Sequence, residues 1–390
     1  MVLEQVGSCC DPVPLGRVYW PRTTIEPVQR FDYPESLRSR AMEVLEIDGS
    51  RYSGSGTIVR QAVALAALTN RPIRVVNVRV KRPNPGLRPQ HVQVIEAIRQ
   101  LVDGRTEGVQ QGSGEFVFWP GQLQPRRRYV WDIGSAGSTV LLALAVLPVA
   151  AFSGVPLRAE IRGGLFQDFA PSFFHLRDVV LPVLRRMGFQ VSVHMVRPGY
   201  VPQGGGILEL EVEPVVGPLQ PVRLERAGTV QSITGIALAS HLRERSVARR
   251  MAQAAQRVLE RRGLKARIEL VDDERAVQPG AALALFADLE SGARLGADWA
   301  GAKGRSAEAI GERVAKDLLE DLDSGATVDR HAADQLIPFA ALASGTSCYR
   351  VPKLTDHIQS NAWLVSKFLG AKVILDDAWV SVEGVGFSRS

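Results

Sequence analysis

Residues 129–161 read YVWDIGSAGSTVLLALAVLPVAAFSGVPLRAEI. The stretch opens on a strand, Tyr129 to Ile133. It passes through the turn Gly134-Ser135-Ala136-Gly137-Ser138-Thr139 into an apolar helix from Val140, and leaves by Gly154 and Pro156 into a second strand, Leu157 to Ile161. The same order stands upstream. A short strand from Val44 enters a Gly/Ser turn (Asp48 to Thr57), a helix (Ile58 to Leu68), a turn at Pro72 and a strand, Ile73 to Val80. Both copies carry Pro, then Ile or Leu, then Arg: Pro72-Ile73-Arg74 and Pro156-Leu157-Arg158. An amphipathic helix follows each, His91 to Val102 and Phe174 to Met187, the latter leading through Gly188 to a strand, Phe189 to Val196.

A third, partial copy closes the chain. It has a helix Ala332 to Leu342, a strand near Cys348 to Val351, a helix Ile358 to Leu369 and a strand Lys372 to Leu375. A period of about 80 residues is longer than the solenoid range, so a few βαβ-type copies should pack together with their helices facing one another. Between copies two and three, residues 225–322 break the pattern. A charged helix (Ser240 to Arg262), strands Ala266 to Val271 and Ala281 to Asp288, and a helix capped by Ser306 and ending at Leu322 predict a small inserted α/β domain. The expected division is an N-terminal extension (1–43, proline-rich and aperiodic), a large domain in two pieces (44–224 and 323–390), and the insert (225–322).

The chain has 390 residues, 45% hydrophobic and 23% charged, with 47 Lys+Arg against 41 Asp+Glu. This is ordinary globular composition with a mild basic surplus, which permits a polyanionic partner without naming one. The longest apolar run, Val140 to Phe152, contains Pro148 and falls short of the roughly 20 residues of a bilayer span, so it predicts a buried helix and no membrane anchor. Cys9, Cys10 and Cys348 show no metal-ligand spacing, and the chain reads as cytoplasmic and without structural disulfides.

Several clusters could carry chemistry. The turn Asp48-Gly49-Ser50-Arg51-Tyr52-Ser53-Gly54-Ser55-Gly56-Thr57 could aim N–H groups at an anion, although no Gly-Lys-Ser/Thr follows. On its own it reads more readily as a plain strand-to-helix turn. The loop Arg79 to His91 holds Arg79, Lys81, Arg82 and Arg88 among prolines, a set of forks suited to phosphate or simply a solvated basic loop. Gly199 to Gly206 is a third glycine cluster. His357 precedes a helix; a lone histidine is more often structural, but a neutral imidazole can attack phosphorus.

Taken together these residues resemble the RNA 3′-terminal phosphate cyclase family. The likeness rests on Asp48-Gly49, Gly54, Gly56 and Arg60; on Arg79, Arg82, Pro85-Gly86-Leu87 and Gln90-His91; and on Ile133 to Ser138 and Gly163-Gly164. It continues through Ala170-Pro171, Gly199-Tyr200 to Gly206, Ala333-Asp334-Gln335-Leu336, and His357 with Asn361. It runs from about residue 44 to the end.

The resemblance implies an α/β (α+β) fold of three βαβαββ units, each similar to the C-terminal fold of translation initiation factor 3, with a small α/β insert. It implies an ATP-dependent ligase-type enzyme that turns an RNA 3′-terminal phosphate into a 2′,3′-cyclic phosphodiester through a histidine-AMP intermediate. In that reading His357 is the nucleophile, and Arg60, Arg79, Arg82 and Gln90 bind phosphates and RNA ends. Gly134, Ser135, Pro171, His331, Asp334 and Gln335 contact ATP. A divalent metal, Mg or Mn, would assist, but Ser53 stands where the family has its acidic ligand, and His331 replaces an aromatic residue. RNA 3′ ends are the implied partner, and a dimer is compatible with the sequence. Two competing readings are a non-catalytic RNA-binding relative in RNA processing or ribosome assembly, and an enolpyruvyl-type transferase; the cationic segment and His357 count against the latter.

Overall fold

The computed structural model describes residues 44–124 and 126–389; the expected extension, 1–43, lies outside them. The fold is mixed α/β, with four four-stranded sheets. The first segment contains β1 (Leu45–Asp48), α1 (Gly56–Thr69), β2 (Ile73–Val76), α2 (Pro89–Leu101), β3 (Arg105–Glu107) and β4 (Phe116–Trp119). Its sheet runs β1-β2-β4-β3, with β1 and β2 parallel and the other pairs antiparallel. The second contains β5 (Arg128–Asp132), α3 (Thr139–Ala151), β6 (Leu157–Gly163), α4 (Phe173–His175), a π-helical turn, α5 (Leu181–Met187), β7 (Val191–Arg197) and β8 (Gly206–Val212). Its order is β5-β6-β8-β7, again with one parallel and two antiparallel pairings.

The chain then lays down a two-residue strand, β9 (Arg223–Leu224), and departs to build β10 (Val230–Ser240), α6 (Val247–Glu260), β11 (Ala266–Asp273), β12 (Gly280–Leu289), β13 (Arg294–Ala300) and α7 (Ala307–Asp323). These strands make a sheet of order β11-β10-β12-β13. The chain returns through α8 (Ala332–Gln335) and α9 (Ile337–Leu342) to β14 (Ser344–Arg350), α10 (Asp356–Leu369), β15 (Lys372–Asp376) and β16 (Trp379–Val385). The last sheet runs β15-β16-β14-β9, so β14 pairs in parallel with a strand laid down more than 100 residues earlier. Three of the four sheets thus share one order: first, second, fourth, third.

Burial explains which helices go inside. The strands β5, β6 and β8 alternate buried and exposed residues, leaving one apolar face to be covered. Every residue of α3 is buried, because it lies between that face and the helices α1 and α2. Helix α1 packs against α2, α3 and α10, and nearly all of it is buried, Arg60 and Gln61 included. By contrast α6 buries Val247, Ala248, Met251, Ala252, Ala255 and Leu259 at helical spacing and turns its arginines outward. Among the described residues no helix is long and apolar enough to cross a membrane.

Three local expectations are corrected. Ser240 ends β10 and does not begin a helix; the long helix starts at Val247. Strand β10 is central in its sheet, and its end, Ala237 to Ser240, is buried throughout, so the alternation that identifies a strand is lost there. Strand β2 ends at Val76, because Asn77 and Arg79 turn the chain in the left-handed region (φ 53° and 54°). Cys348, buried in β14, is disulfide-bonded, against the expectation of none; Cys9 and Cys10 lie outside the described residues. Whether a cysteine is paired is set by tertiary proximity, which spacing does not reveal.

Candidate active site

Ser55 is the N-cap of α1, its hydroxyl accepting from Thr57 N at 3.3 Å, and the first turn carries no acid. The positive end of this helix therefore opens without a neutralising partner of its own. Gly56 is required there: a Cβ would stand 2.0 Å from His91 Nε2. His91 is held in turn at the start of α2, its Nδ1 accepting from Arg88 N at 3.0 Å. Burial, with Arg60 next, pushes the His91 imidazole well below its ordinary pKa, so it stays neutral.

Thr57 joins two of the expected residues. Its Oγ1 accepts from Arg60 Nη2 at 3.1 Å and lies 3.0 Å from His357 Nδ1. His357 sits in the first turn of α10, whose N-cap Thr355 accepts from Ile358 N. Burial lowers the His357 pKa to about 4, and Arg60 and Arg82 push in the same direction. The ring is therefore neutral at pH 7. In the tautomer that donates Nδ1–H to the Thr57 hydroxyl, Nε2 keeps its lone pair.

These groups line a cavity of about 690 Å³ together with Arg79, Arg82, Gln90, Pro171, Arg330, His331, Asp334 and Gln335. Nine of the residues singled out in the sequence therefore converge here: His357, Arg60, Arg79, Arg82, Gln90, Pro171, His331, Asp334 and Gln335. Gly134 and Ser135 do not line it. Their turn acts indirectly, because Ser138 N donates to Gln90 Oε1 at 3.0 Å. Two other clefts have similar volumes, about 680 and 710 Å³, but neither contains a histidine.

The charge balance is one-sided: four arginines and a single acid, Asp334, line the cavity. Arg330 is committed to Asp317, Glu320 and Asp321. Arg79 donates to the carbonyls of Asn84 (2.6 Å) and Gly86 (2.8 Å), which fixes its fork without neutralising it. Among the described residues Arg60, Arg79 and Arg82 form no ion pair. Burial lowers the Arg60 pKa to about 10, Asp334 opposing and Arg79 assisting. Asp334 is pushed up to about 7 by burial, against the pull of Arg60. Gln335 Nε2 donates to its Oδ2 at 2.7 Å, and Asn361 Nδ2 ties its carbonyl to α10 at 2.7 Å. Three unpaired guanidinium groups at a helix N-terminus make a site for an anion.

Behind His331 lies a buried pair that no spacing announced. His175 Nε2 lies 2.9 Å from Asp329 Oδ1, both side chains fully buried. Asp329 also accepts from the backbone N–H groups of Gly296, His331 and Ala332. The His175 ring meets His331 edge-on at 5.7 Å. Thr57, Phe169 and Arg330 were likewise missed. Thr57 could have been suspected from its place at α1's start, where a hydroxyl is next to backbone donors; the other two had no local signal.

The residues present do not fit a protein-built metal cage. Ser53 Oγ is engaged with Ser55 Oγ (3.0 Å) and Ser360 Oγ (2.8 Å), and among the described residues no group of three or more His, Cys, Asp or Glu could hold an ion.

The family model described as RNA 3′-terminal phosphate cyclase matches residues 51–375. The chain belongs to the RNA 3′-terminal phosphate cyclase family. Relatives named RNA 3′-terminal phosphate cyclase include one from Staphylothermus marinus, 38% identical over 88% of this chain and 95% of its own length. Another, from Nitrosospira multiformis, is 40% identical over 83% and 91%. Among solved structures, the enolpyruvyl transferase NikO from Streptomyces tendae aligns with a TM-score of 0.35 and 11% identity. That alignment covers 88% of this cyclase-family chain and 48% of NikO, and it is too loose to carry an argument.

Proposed function

We propose that this protein uses ATP to convert an RNA 3′-terminal phosphate into a 2′,3′-cyclic phosphodiester, with His357 as the nucleophile. One observation carries the reading: a neutral imidazole, fixed through Nδ1 by Thr57, stands on the same cavity as three unpaired guanidinium groups. In the first step the Nε2 lone pair attacks the α-phosphorus of ATP, the bond to the bridging oxygen breaks, and pyrophosphate leaves with the electron pair. In the second, an oxygen of the RNA 3′-phosphate attacks that phosphorus and His357 regains its lone pair. In the third, the RNA 2′-hydroxyl attacks the 3′-phosphorus, loses its proton to solvent and expels AMP.

Arg60, Arg79 and Arg82 hold the phosphates and offset the negative charge that gathers on phosphorus. Pro171 and His331 flank the adenine, and Asp334 and Gln335 contact the nucleotide. The Ser138–Gln90 bond sets Gln90 against an RNA end. The three sheets of common order are read as three units similar to the C-terminal fold of translation initiation factor 3, with 225–322 as the inserted domain.

Protein incubated with α-labelled ATP should acquire an acid-labile label. His357→Ala should lack it, and RNA with a 3′-phosphate should chase it from the parent protein. Label persisting in His357→Ala would refute the site. Absence of label with either Mg or Mn would favour an RNA-binding protein without catalysis.

A further inference from the structure

Phe169 is fully exposed, although its neighbours Phe166, Phe173 and Phe174 are all buried in the core. Its backbone is left-handed, φ 66°, a region that a bulky residue rarely occupies without a reason. The segment around it is pinned on both sides. Asp168 is gripped by Arg305 through two bonds of 3.1 and 3.0 Å, and Arg305 lies over the Trp299 ring at 3.6 Å. On the other side Ser172 N donates to Asp298 Oδ2 at 2.8 Å. Trp299 and Asp298 belong to β13 and Arg305 to the turn just after it, so one strand and its exit hold the loop in the shape that turns Phe169 outward.

The ring it presents lines the same cavity as His357 and the arginines. A flat apolar surface beside a cluster of cations suits a ligand that joins a planar ring to phosphate. In the cyclase reading, on which this inference rests, the adenine of ATP is flanked by Pro171 and His331. The second planar group brought to the site is the last base of the RNA. We propose that Phe169 is the stacking platform for the base of the RNA 3′-terminal nucleotide. Stacking of an unpaired base on an aromatic ring is a usual way to hold single-stranded RNA without selecting its sequence.

The test uses the full chain and short fluorescent RNAs ending in a 3′-phosphate, with the terminal nucleotide either intact or abasic, read by anisotropy. Phe169→Ala should weaken binding of the intact RNA about tenfold, the usual contribution of one base stack. Phe169→Trp should restore it. The abasic RNA should bind the parent protein and Phe169→Ala equally. Unchanged affinity for intact RNA in Phe169→Ala, or an equal loss with abasic RNA, overturns the proposal. So does a Phe169→Ala effect that falls on the ATP concentration needed to label His357 and not on RNA. If the parent protein binds RNA with this Phe169 dependence but never labels with ATP, the stack stands and the cyclase reading falls.

Discussion

Thr57→Val removes one hydroxyl with almost no change of shape. Two contacts go with it, the 3.1 Å bond from Arg60 and the 3.0 Å contact with His357 Nδ1. Arg60 is buried, so its freed N–H finds little water to replace the bond. A hydrogen bond to a charged group is worth about 1.5–3 kcal/mol. If that stabilisation is carried into the transition state for attack by His357, its loss slows labelling roughly ten- to hundredfold. The assay is a single-turnover measurement of protein labelling by α-labelled ATP. Thr57→Ser serves as the conservative variant and a melting curve as the control for folding. Thr57→Val should be slow at saturating ATP and Thr57→Ser close to the parent. A Thr57→Val rate within about twofold of the parent, or a Thr57→Ser as slow as Thr57→Val, would show that the hydroxyl does not orient the imidazole.

Gly56→Ala places a Cβ 2.0 Å from His91 Nε2 and should cost about 1–3 kcal/mol by denaturant unfolding, whereas Gly114→Ala, with nothing within 4 Å, should cost little. Similar losses in both would sink the steric argument. Burial raises Asp334 to about 7, above its unfolded value, so its proton stabilises the native state at low pH and that contribution is lost as pH rises through 7. Asp334→Asn should therefore gain melting temperature relative to the parent between pH 5 and pH 8, and a constant gap across that range would contradict the burial argument. His357 has the opposite linkage: its lowered pKa makes native stability fall as pH drops from about 6.5 towards 4. His357→Ala should show a shallower decline over that window in unfolding curves, and an unchanged slope would refute the shift.

Much of the fold was legible because its signals are local. The turn Gly134 to Thr139 and the apolar run after it could only be strand, turn and buried helix, and α3 is buried throughout. The same is true of α1 behind its glycine turn and of α10 behind Thr355. Strands β10 and β13 escaped: the end of β10, Ala237 to Ser240, is buried throughout and so lacks the alternation that marks a strand. The candidate site was half legible. The arginine loop and His357 stand out by type and spacing, but Thr57, Phe169 and the His175–Asp329 pair look like any threonine, phenylalanine, histidine and aspartate until their neighbours are known.

By itself the chain of residues decided the alternation of helices and strands, the position of the cationic loop and the presence of a histidine at a helix start. Only the tertiary structure decided that Thr57 meets His357 across 300 residues, that β9 waits for β14, and that Phe169 turns out where its neighbours turn in. The reason is physical. Periodicity and turn chemistry are written within a few residues, whereas the approach of α1 to α10 follows from burying many side chains at once, which no single segment encodes.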